Sequence, residues 1–361
     1  MKTNHPLLAV LAVSLLALAA CGDDDEETTA TEPAATSSAT GAPGSTAAPG
    51  STPAGGDDYQ WVMVTDQAGL GDQGFNDLAK AGLDEAASTL GGTAQAIESS
   101  EQAQYVPNLQ QAIEGGASLT VGVGFLITDA IVEVAGENPD ANLLLIDAVA
   151  ADESGAPLPN VASVTFKEQE GAYLAGVIAA STTQTKKIGF VGGIEIPPVV
   201  RFLTGFREGV ASVDDSIQID VAYVGAFDDP ARAKELTAGY FDSDHDIVFE
   251  VAGAGGLGSY EEAKTRGEGF WVIGTDTCKD DLAPDNFLTS ATKDVSGAVL
   301  RQAQAVADGS FAGGVFNEGL AEDAVGVCEE TFGELPQEVR DAVEAAREAI
   351  ASGELTVSTG E

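Results

Sequence analysis

Past residue 58 the chain alternates short apolar runs with longer segments in which apolar residues recur every three or four positions. Two-fold or continuous apolar runs predict strands, and the 3.6-residue recurrence predicts helices. Strands are expected at Trp61–Thr65, Thr93–Ile97, Leu119–Val123, Asn142–Ile146, Val161–Thr165, Ile188–Val191, Ile217–Tyr223, Asp246–Val251 and Gly269–Gly274. Helices are expected at Asn76–Thr89, Val106–Glu114, Asp129–Ala135, Gln169–Ala180, Val199–Ala211, Ala231–Phe241 and Tyr260–Arg266. A last helix, Pro336–Ser352, has proline near its start and Gly353 just past its end, as helix termini prefer. Repeated strand–helix alternation predicts mostly parallel sheets with helices on both faces. From Tyr59 onward there are roughly 300 residues, enough for two lobes of ordinary size.

The segments before this pattern read differently. Lys2 and the apolar LLAVLAVSLLALAA form an export signal over residues 1–20, too short for a dependable membrane span. Leu18-Ala19-Ala20-Cys21 resembles a bacterial lipobox, which would make Cys21 a lipidated N-terminus. Residues 21–58 are rich in Ser, Thr, Pro, Ala, Gly and acid, with almost no large apolar side chain. Such a segment cannot bury enough surface to offset ordering entropy, so it is expected to be a disordered tether. The expected location is outside the cytoplasm, anchored to the cell membrane.

Charge narrows the function further. The chain has 58 acidic and 16 basic residues, a net charge of -42. That repels nucleic acid, which requires basic patches, and disfavours phosphorylated ligands. Solubility in a salty habitat accounts for the excess acid. Apart from Cys21 the cysteines are Cys278 and Cys328. In an exported chain these are as readily a disulfide as two free thiols.

In parallel α/β sheets ligands bind beyond the carboxyl ends of the strands. Asp66 and GDQGFND (71–77) follow the first predicted strand, Gly124 and Phe125 the third, and Asp147 the fourth. VGAFDDP, with Phe227, follows Ile217–Tyr223; AGAGGLG follows Asp246–Val251; Asp276 follows Gly269–Gly274. Aromatics, carboxylates and glycines thus gather at one end of the sheets, as in a binding cleft. GAGGLG (253–258) is a literal dinucleotide-type motif, but it lies late in an exported chain. No catalytic or metal site is expected: there is no zinc-protease helix, paired-cysteine motif, P-loop or nucleophile elbow. His245, in the turn SDHDI, is expected to be solvated, and Arg201 to be exposed. Asp228–Asp229 is expected to cap the helix beginning near Ala231.

TDQAGLGDQGFND, NVASVTFKEQEGAYLAGVIAA, KKIGFVGGIEIPPVVRFLTGFREG, VGAFDDPARAKEL, DIVFEVAGAGGLG, VIGTDTCKD and TSATKD occur in this order. Together they resemble the basic membrane lipoprotein family, the purine nucleoside receptors of bacterial ABC importers. The resemblance covers about Trp61 to Val325. It implies an α/β, type I periplasmic-binding-protein fold: two doubly wound parallel-sheet lobes joined by three crossovers. The lobes would be 59–165 plus about 287–316, and 166–286 plus about 317–361.

The resemblance also implies a site. Phe75 and Phe227 would sandwich a purine, Asp66 and Asn76 would contact its edge, and Gly253 would let backbone approach. Asp276 would hold the ribose, with Lys293 completing those contacts and pairing with Asp276; Asp147 joins the set. Where the family often reads G-V-D-x-D-Q, this chain reads GTDTCKD, and Cys278 there could tie the loop to Cys328. The implied protein is a monomeric, non-enzymatic receptor with no cofactor, partnered by an ABC permease and ATPase and by the membrane through its anchor. The rival readings are a receptor for a sugar or signalling molecule, a sensor feeding a membrane kinase, and a nucleoside hydrolase or NAD-dependent enzyme.

Overall fold

The computed structural model of the protein describes residues 59–360. The export signal, Cys21 and the whole of the tether lie outside the described residues. The chain begins with β1 (Gln60–Val64), α1 (Phe75–Leu90), β2 (Thr93–Ile97), α2 (Tyr105–Glu114), β3 (Leu119–Val123), α3 (Thr128–Glu137), β4 (Leu143–Ile146) and β5 (Val161–Phe166). It continues through α4 (Glu168–Thr182), β6 (Lys187–Gly192), α5 (Pro197–Val213), β7 (Gln218–Tyr223), α6 (Pro230–Asp242), β8 (Ile247–Val251), α7 (Leu257–Arg266), β9 (Trp271–Asp276) and β10 (Phe287–Lys293). It ends with α8 (Val295–Ala307), β11 (Gly314–Glu318), β12 (Val325–Val327), α9 (Glu329–Phe332) and α10 (Gln337–Ala351).

The strands form two six-stranded sheets of matching order, β11-β5-β4-β3-β1-β2 and β12-β10-β9-β8-β6-β7. Every pairing is parallel except β10 with β12. The central strands β3 and β8 are buried at every residue, as strands covered by helices on both faces must be. The chain passes between sheets three times: after β5, after β10 and after β11.

Those crossings correct the expected lobe boundaries. Phe287–Lys293 is β10, paired with β9 in the second sheet, so the return to the first lobe comes after Lys293 and not near residue 287. Asn317 and Glu318 still pair with β5, so the last crossing follows them. The strands β10 to β12 and helix α8 were absent from the periodicity reading. FLTSATK alternates small polar with apolar residues, yet most of it is buried, so polarity hid a core strand.

Helix α4 carries the first crossing and is buried on nearly all sides. Its sequence shows little amphipathic contrast because α5, α10, β10 and β12 cover it and little of it faces a surface. It lies against α5 at glycine distance: a Cβ on Gly205 would stand 2.0 Å from the Gln169 carbonyl oxygen, and one on Gly209 2.1 Å from that of Tyr173. The neighbours there are backbone atoms, which cannot swing away.

Gly205→Ala tests this contact. Better helix propensity would add about 1 kcal/mol, whereas overpacking typically costs about 1–3 kcal/mol. With backbone as the obstacle, the expected result is a net loss of stability of about 1–2 kcal/mol in chemical denaturation.

Candidate functional site

In each sheet the strand order reverses around one strand: β1 lies between β2 and β3, and β6 lies between β7 and β8. The chain departs in opposite directions from such a point, leaving a crevice at the carboxyl ends. The two crevices face one cavity. Its first-lobe wall includes Asp66, Asp72, Phe75, Asn76, Gly124, Phe125 and Asp147. The second lobe supplies Phe227, Val251, Gly253, Thr275, Asp276 and Lys293, with Ile196, Pro198, Val199 and Phe202 at the start of α5. About 590 Å³ of space lies between these walls, mouth included.

The GDQGFND loop is held by its own polar residues. Asp72 accepts from the backbone N–H groups of Gly74 (3.0 Å), Asn76 (2.8 Å) and Asp77 (3.1 Å), which satisfies two of the free donors of the first turn of α1. Asp77 accepts in turn from Gly71 (2.8 Å) and Gln73 (3.0 Å). The polar side chains are thus spent on the loop, and Phe75 is left half-buried on the cavity wall. Gly124 has φ 99°, a left-handed conformation, and a Cβ there would stand 3.1 Å from Asp66 Oδ2 and 3.6 Å from the Phe75 ring. The glycine therefore lets the Asp66 carboxylate and the Phe75 edge meet at one spot.

Asn76 is almost wholly buried. Its amide nitrogen donates to Asp66 Oδ1 at 2.9 Å and to Asp72 Oδ2 at 3.2 Å. Its Oδ1 has no hydrogen-bond partner among the described residues. Asp66 also accepts from the Ala68 N–H at 3.0 Å. Burial pushes the Asp66 carboxyl up to about 6; the Asn76 and Ala68 hydrogen bonds oppose this, and Asp72 and Asp228 add to it.

Asp147 follows β4 and Asp276 ends β9, the strands that hold equivalent places in the two sheets. Both have φ 71°, an uncommon conformation for a residue with a side chain, and one that Asp tolerates better than most. Lys293 Nζ donates to Asp147 Oδ2 at 2.6 Å and lies 3.4 Å from Glu168 Oε1, a charge contact without hydrogen-bond geometry. The same ammonium stands 4.8, 5.1 and 5.6 Å from the ring centroids of Phe75, Phe166 and Phe202. Burial acts to lower the Lys293 pKa, but Asp147, Glu168 and Asp276 outweigh it and hold the amine charged. Burial likewise holds Asp147 up at about 6 against the pull of Lys293, so the pair is ionised at neutral pH. The expected Lys293–Asp276 pair is therefore corrected: the bonded carboxylate is Asp147, and Asp276 acts on Lys293 only through space.

A second buried lysine serves Asp276. Lys279 lies 3.4 Å from Glu250 Oε1, and both are almost fully buried. A Cβ on Gly74 would stand 3.3 Å from Lys279 Nζ and 3.5 Å from Asp276 Oδ2, so this cluster abuts the start of α1 across the lobes. Burial lowers the Lys279 pKa, but Glu250, Asp276 and Asp72 outweigh it. Cys278 and Cys328 are disulfide-bonded, with Cα atoms 5.1 Å apart, which ties the Asp276–Lys279 loop to the end of β12.

The GAGGLG glycines serve packing. A Cβ on Gly256 would stand 1.9 Å from Glu250 Oε2, and one on Gly258 1.9 Å from the Pro230 carbonyl. Gly253, at φ 56°, lies against Phe227.

Each residue expected to touch ligand (Asp66, Phe75, Asn76, Asp147, Phe227, Gly253, Asp276 and Lys293) lines this one cavity. Asp229 caps α6 by accepting from the Arg232 N–H. His245 is not solvated: it is buried, 2.9 Å from Asp220 and 3.0 Å from the Tyr240 carbonyl. Arg201 is not exposed: its Nε donates to Glu168 Oε2 at 2.6 Å. Sequence reasoning missed Asp72, Glu168, Glu250 and Lys279. For Asp72 a signal existed, an acid just before a helix start.

Comparison with known proteins agrees with this architecture. A family model described as ABC transporter substrate-binding protein, PnrA-like, matches residues 59–360. The chain is 34% identical over 320 residues to the ABC transporter nucleoside-binding protein BmpA of Lactococcus lactis, covering 83% of this chain and 89% of that one. It is 35% identical over 233 residues to basic membrane protein A of Borreliella burgdorferi, covering 64% and 68% of the two chains. A solute-binding protein of an ABC transporter from Aeropyrum pernix superposes with TM-score 0.75 at 29% identity, covering 83% and 93%.

The Asp66 carboxyl carries a stability signature. Its folded pKa, about 6, lies above the ordinary 3.8, so the fold is favoured when Asp66 is protonated. That contribution is complete below about pH 4 and is lost as pH rises to about 6. One pKa unit is worth about 1.4 kcal/mol, so the loss approaches about 3 kcal/mol. Asp66→Asn keeps an acceptor for Asn76 and Ala68 without the charge. In ligand-free protein, its stability relative to the parent should rise by up to about 3 kcal/mol between pH 4 and pH 7, measured by denaturant titration.

Proposed function

This chain belongs to the family of PnrA-like ABC transporter substrate-binding proteins, and we propose that its cleft receives a purine nucleoside for import. It is a binding protein and not an enzyme. The observation that carries the nucleoside reading is the placing of two phenylalanines, Phe75 from the first lobe and Phe227 from the second, on one cavity rimmed by carboxylates. An aromatic pair presented by opposite lobes suits a flat, two-faced ligand; a non-aromatic ligand would make little use of it.

In this reading the open protein admits the nucleoside, the base stacks on Phe75 and Phe227, and hinge closure removes both from water. Asp66 and Asn76 meet the base edge, and Gly253 lets backbone approach the ring. Asp276 and Asp147 accept from ribose hydroxyls, with Lys293 offsetting the cost of burying carboxylate. The walls carry Asp66, Asp72, Asp147 and Asp276 against Lys293, so a phosphorylated nucleoside is repelled. The closed monomer then docks on an ABC permease driven by its ATPase. Lipidated Cys21 anchors the chain to the cell membrane through the tether of residues 21–58.

Phe75→Ala and Phe227→Ala should each weaken purine nucleoside binding by about 1–3 kcal/mol, the scale of base–aromatic stacking. Titration calorimetry measures this, with ribose alone expected to give no heat. Unchanged affinity in both variants would remove the stacked base from the mechanism. For the anchor, Cys21→Ala should release the protein from the membrane fraction, and a variant retained there would contradict lipidation at Cys21.

A further inference from the structure

Phe227 rests on a glycine whose own backbone does not require one. Gly193 follows β6, and a Cβ built on it would stand 2.4 Å from both Cδ1 and Cε1 of the Phe227 ring and 3.1 Å from Cζ. Three successive ring carbons at these distances put that Cβ over a face of the ring and not beside its edge. Gly193 does not have a left-handed φ, so the path of the chain would accept a side chain there. The three atoms nearest to the added carbon all belong to this one ring. What glycine provides at position 193 is therefore room for Phe227.

Both backbones are pinned. The Gly193 N–H donates to the Val251 carbonyl at 2.8 Å, and its carbonyl accepts from the Gly225 N–H at 2.8 Å, which holds it between the end of β8 and the loop after β7. The Phe227 carbonyl accepts from the Gly255 N–H at 2.8 Å. Only the torsions of the ring itself are left to yield. A ring displaced from Gly193 swings into the cavity that it lines or out past the exposed Asp228. In either case it leaves the wall against which a flat ligand would stack. The penalty of a side chain at 193 thus falls on the ligand, the reverse of Gly205 and Gly209, where backbone is the obstacle and the penalty falls on the fold. Resting on the nucleoside reading above, we infer that Gly193 is a positioning residue for binding: by having no side chain it sets the depth of Phe227 in the second lobe, and so the room left for a base on that wall.

The test is a double-mutant cycle read by titration calorimetry on the full chain in detergent, after dialysis to remove carried-over ligand. The probes are guanosine, inosine and adenosine. For whichever of these the parent binds, Gly193→Ala should weaken binding by about tenfold or more, the scale of losing a stacked aromatic. In a Phe227→Ala background the same substitution should change affinity by less than about twofold, because the ring that it displaces is gone. A purely structural role for Gly193 would leave the loss in place in that background. A loss that persists there, or a Gly193→Ala variant that binds as the parent does, would overturn the inference while leaving the nucleoside reading intact. Silence of the parent for all three probes would overturn both. If Gly193→Ala alone does not fold, adding Phe227→Ala should restore folding, and a double variant that stays unfolded would remove Phe227 from the role of Gly193.

Discussion

The Lys293 ammonium sits where the carboxyl ends of the two sheets meet. It is carried by β10 of the second sheet and bonds Asp147, which follows β4 of the first, at 2.6 Å. Glu168, at the start of the first crossing, stands 3.4 Å away, and Phe75, Phe166 and Phe202 surround the charge. Buried charge of this kind adds little net stability, because desolvation offsets most of the attraction, but removing one partner is strongly unfavourable. The pair therefore acts as a constraint. With Lys293 buried, Asp147 and Glu168 must stay near it, and the lobes that carry these residues must meet in one register. In a chain with 58 acidic and 16 basic residues, placing two lysines at the cleft and burying both is a specific use of scarce positive charge.

Much of this was legible in the sequence. The strands β2 and β3 fall on their expected residues, and β1, β4 and β5 differ only at their ends; apart from the half-exposed edge strand β2, these are buried parallel strands, which announce themselves as apolar runs between glycines and helix starts. The positions after the strands were informative for the same reason: parallel topology sends every strand's carboxyl end to one side. Pairing between sheets was not legible. The pairing of Lys293 with Asp276 rested on the resemblance, and both are strand-end residues of the second sheet. The true partner, Asp147, comes from the other sheet, and nothing local to β4 or β10 records that they abut. Glu168 and Glu250 were hidden for a related reason. Glutamate at a helix start or within an apolar strand reads as a surface residue until a lysine from a distant strand or loop is placed on it.

The loop GTDTCKD carries a contact that spans the two lobes. Lys279 compensates Glu250 and Asp276 in the second lobe while standing beside Gly74 and acting on Asp72 in the first. Asp72 caps the helix that presents Phe75 and Asn76. One lysine thus links Asp276 of the second lobe to the loop that presents Phe75 and Asn76 in the first. The neighbouring disulfide from Cys278 to Cys328 limits how far that loop can move away. An ammonium on a flexible stem would otherwise be free to leave for water, where it is better solvated.

Carboxylates raised by burial, an unpaired amide oxygen and strand-end aspartates in left-handed conformations all make the unliganded cleft less favourable than an apolar one of the same shape. The carboxylates and the amide oxygen ask for the same thing, a hydrogen-bond donor brought in from outside. A ligand that supplies donors relieves several penalties at once, and relief is available only where both lobes contribute groups to the same cavity. Binding and closure are then one event energetically: the closed arrangement is unfavourable when empty and favourable when filled. A permease that engages only the closed protein would in this way be presented with loaded receptor and not with empty receptor, without any contact between permease and ligand.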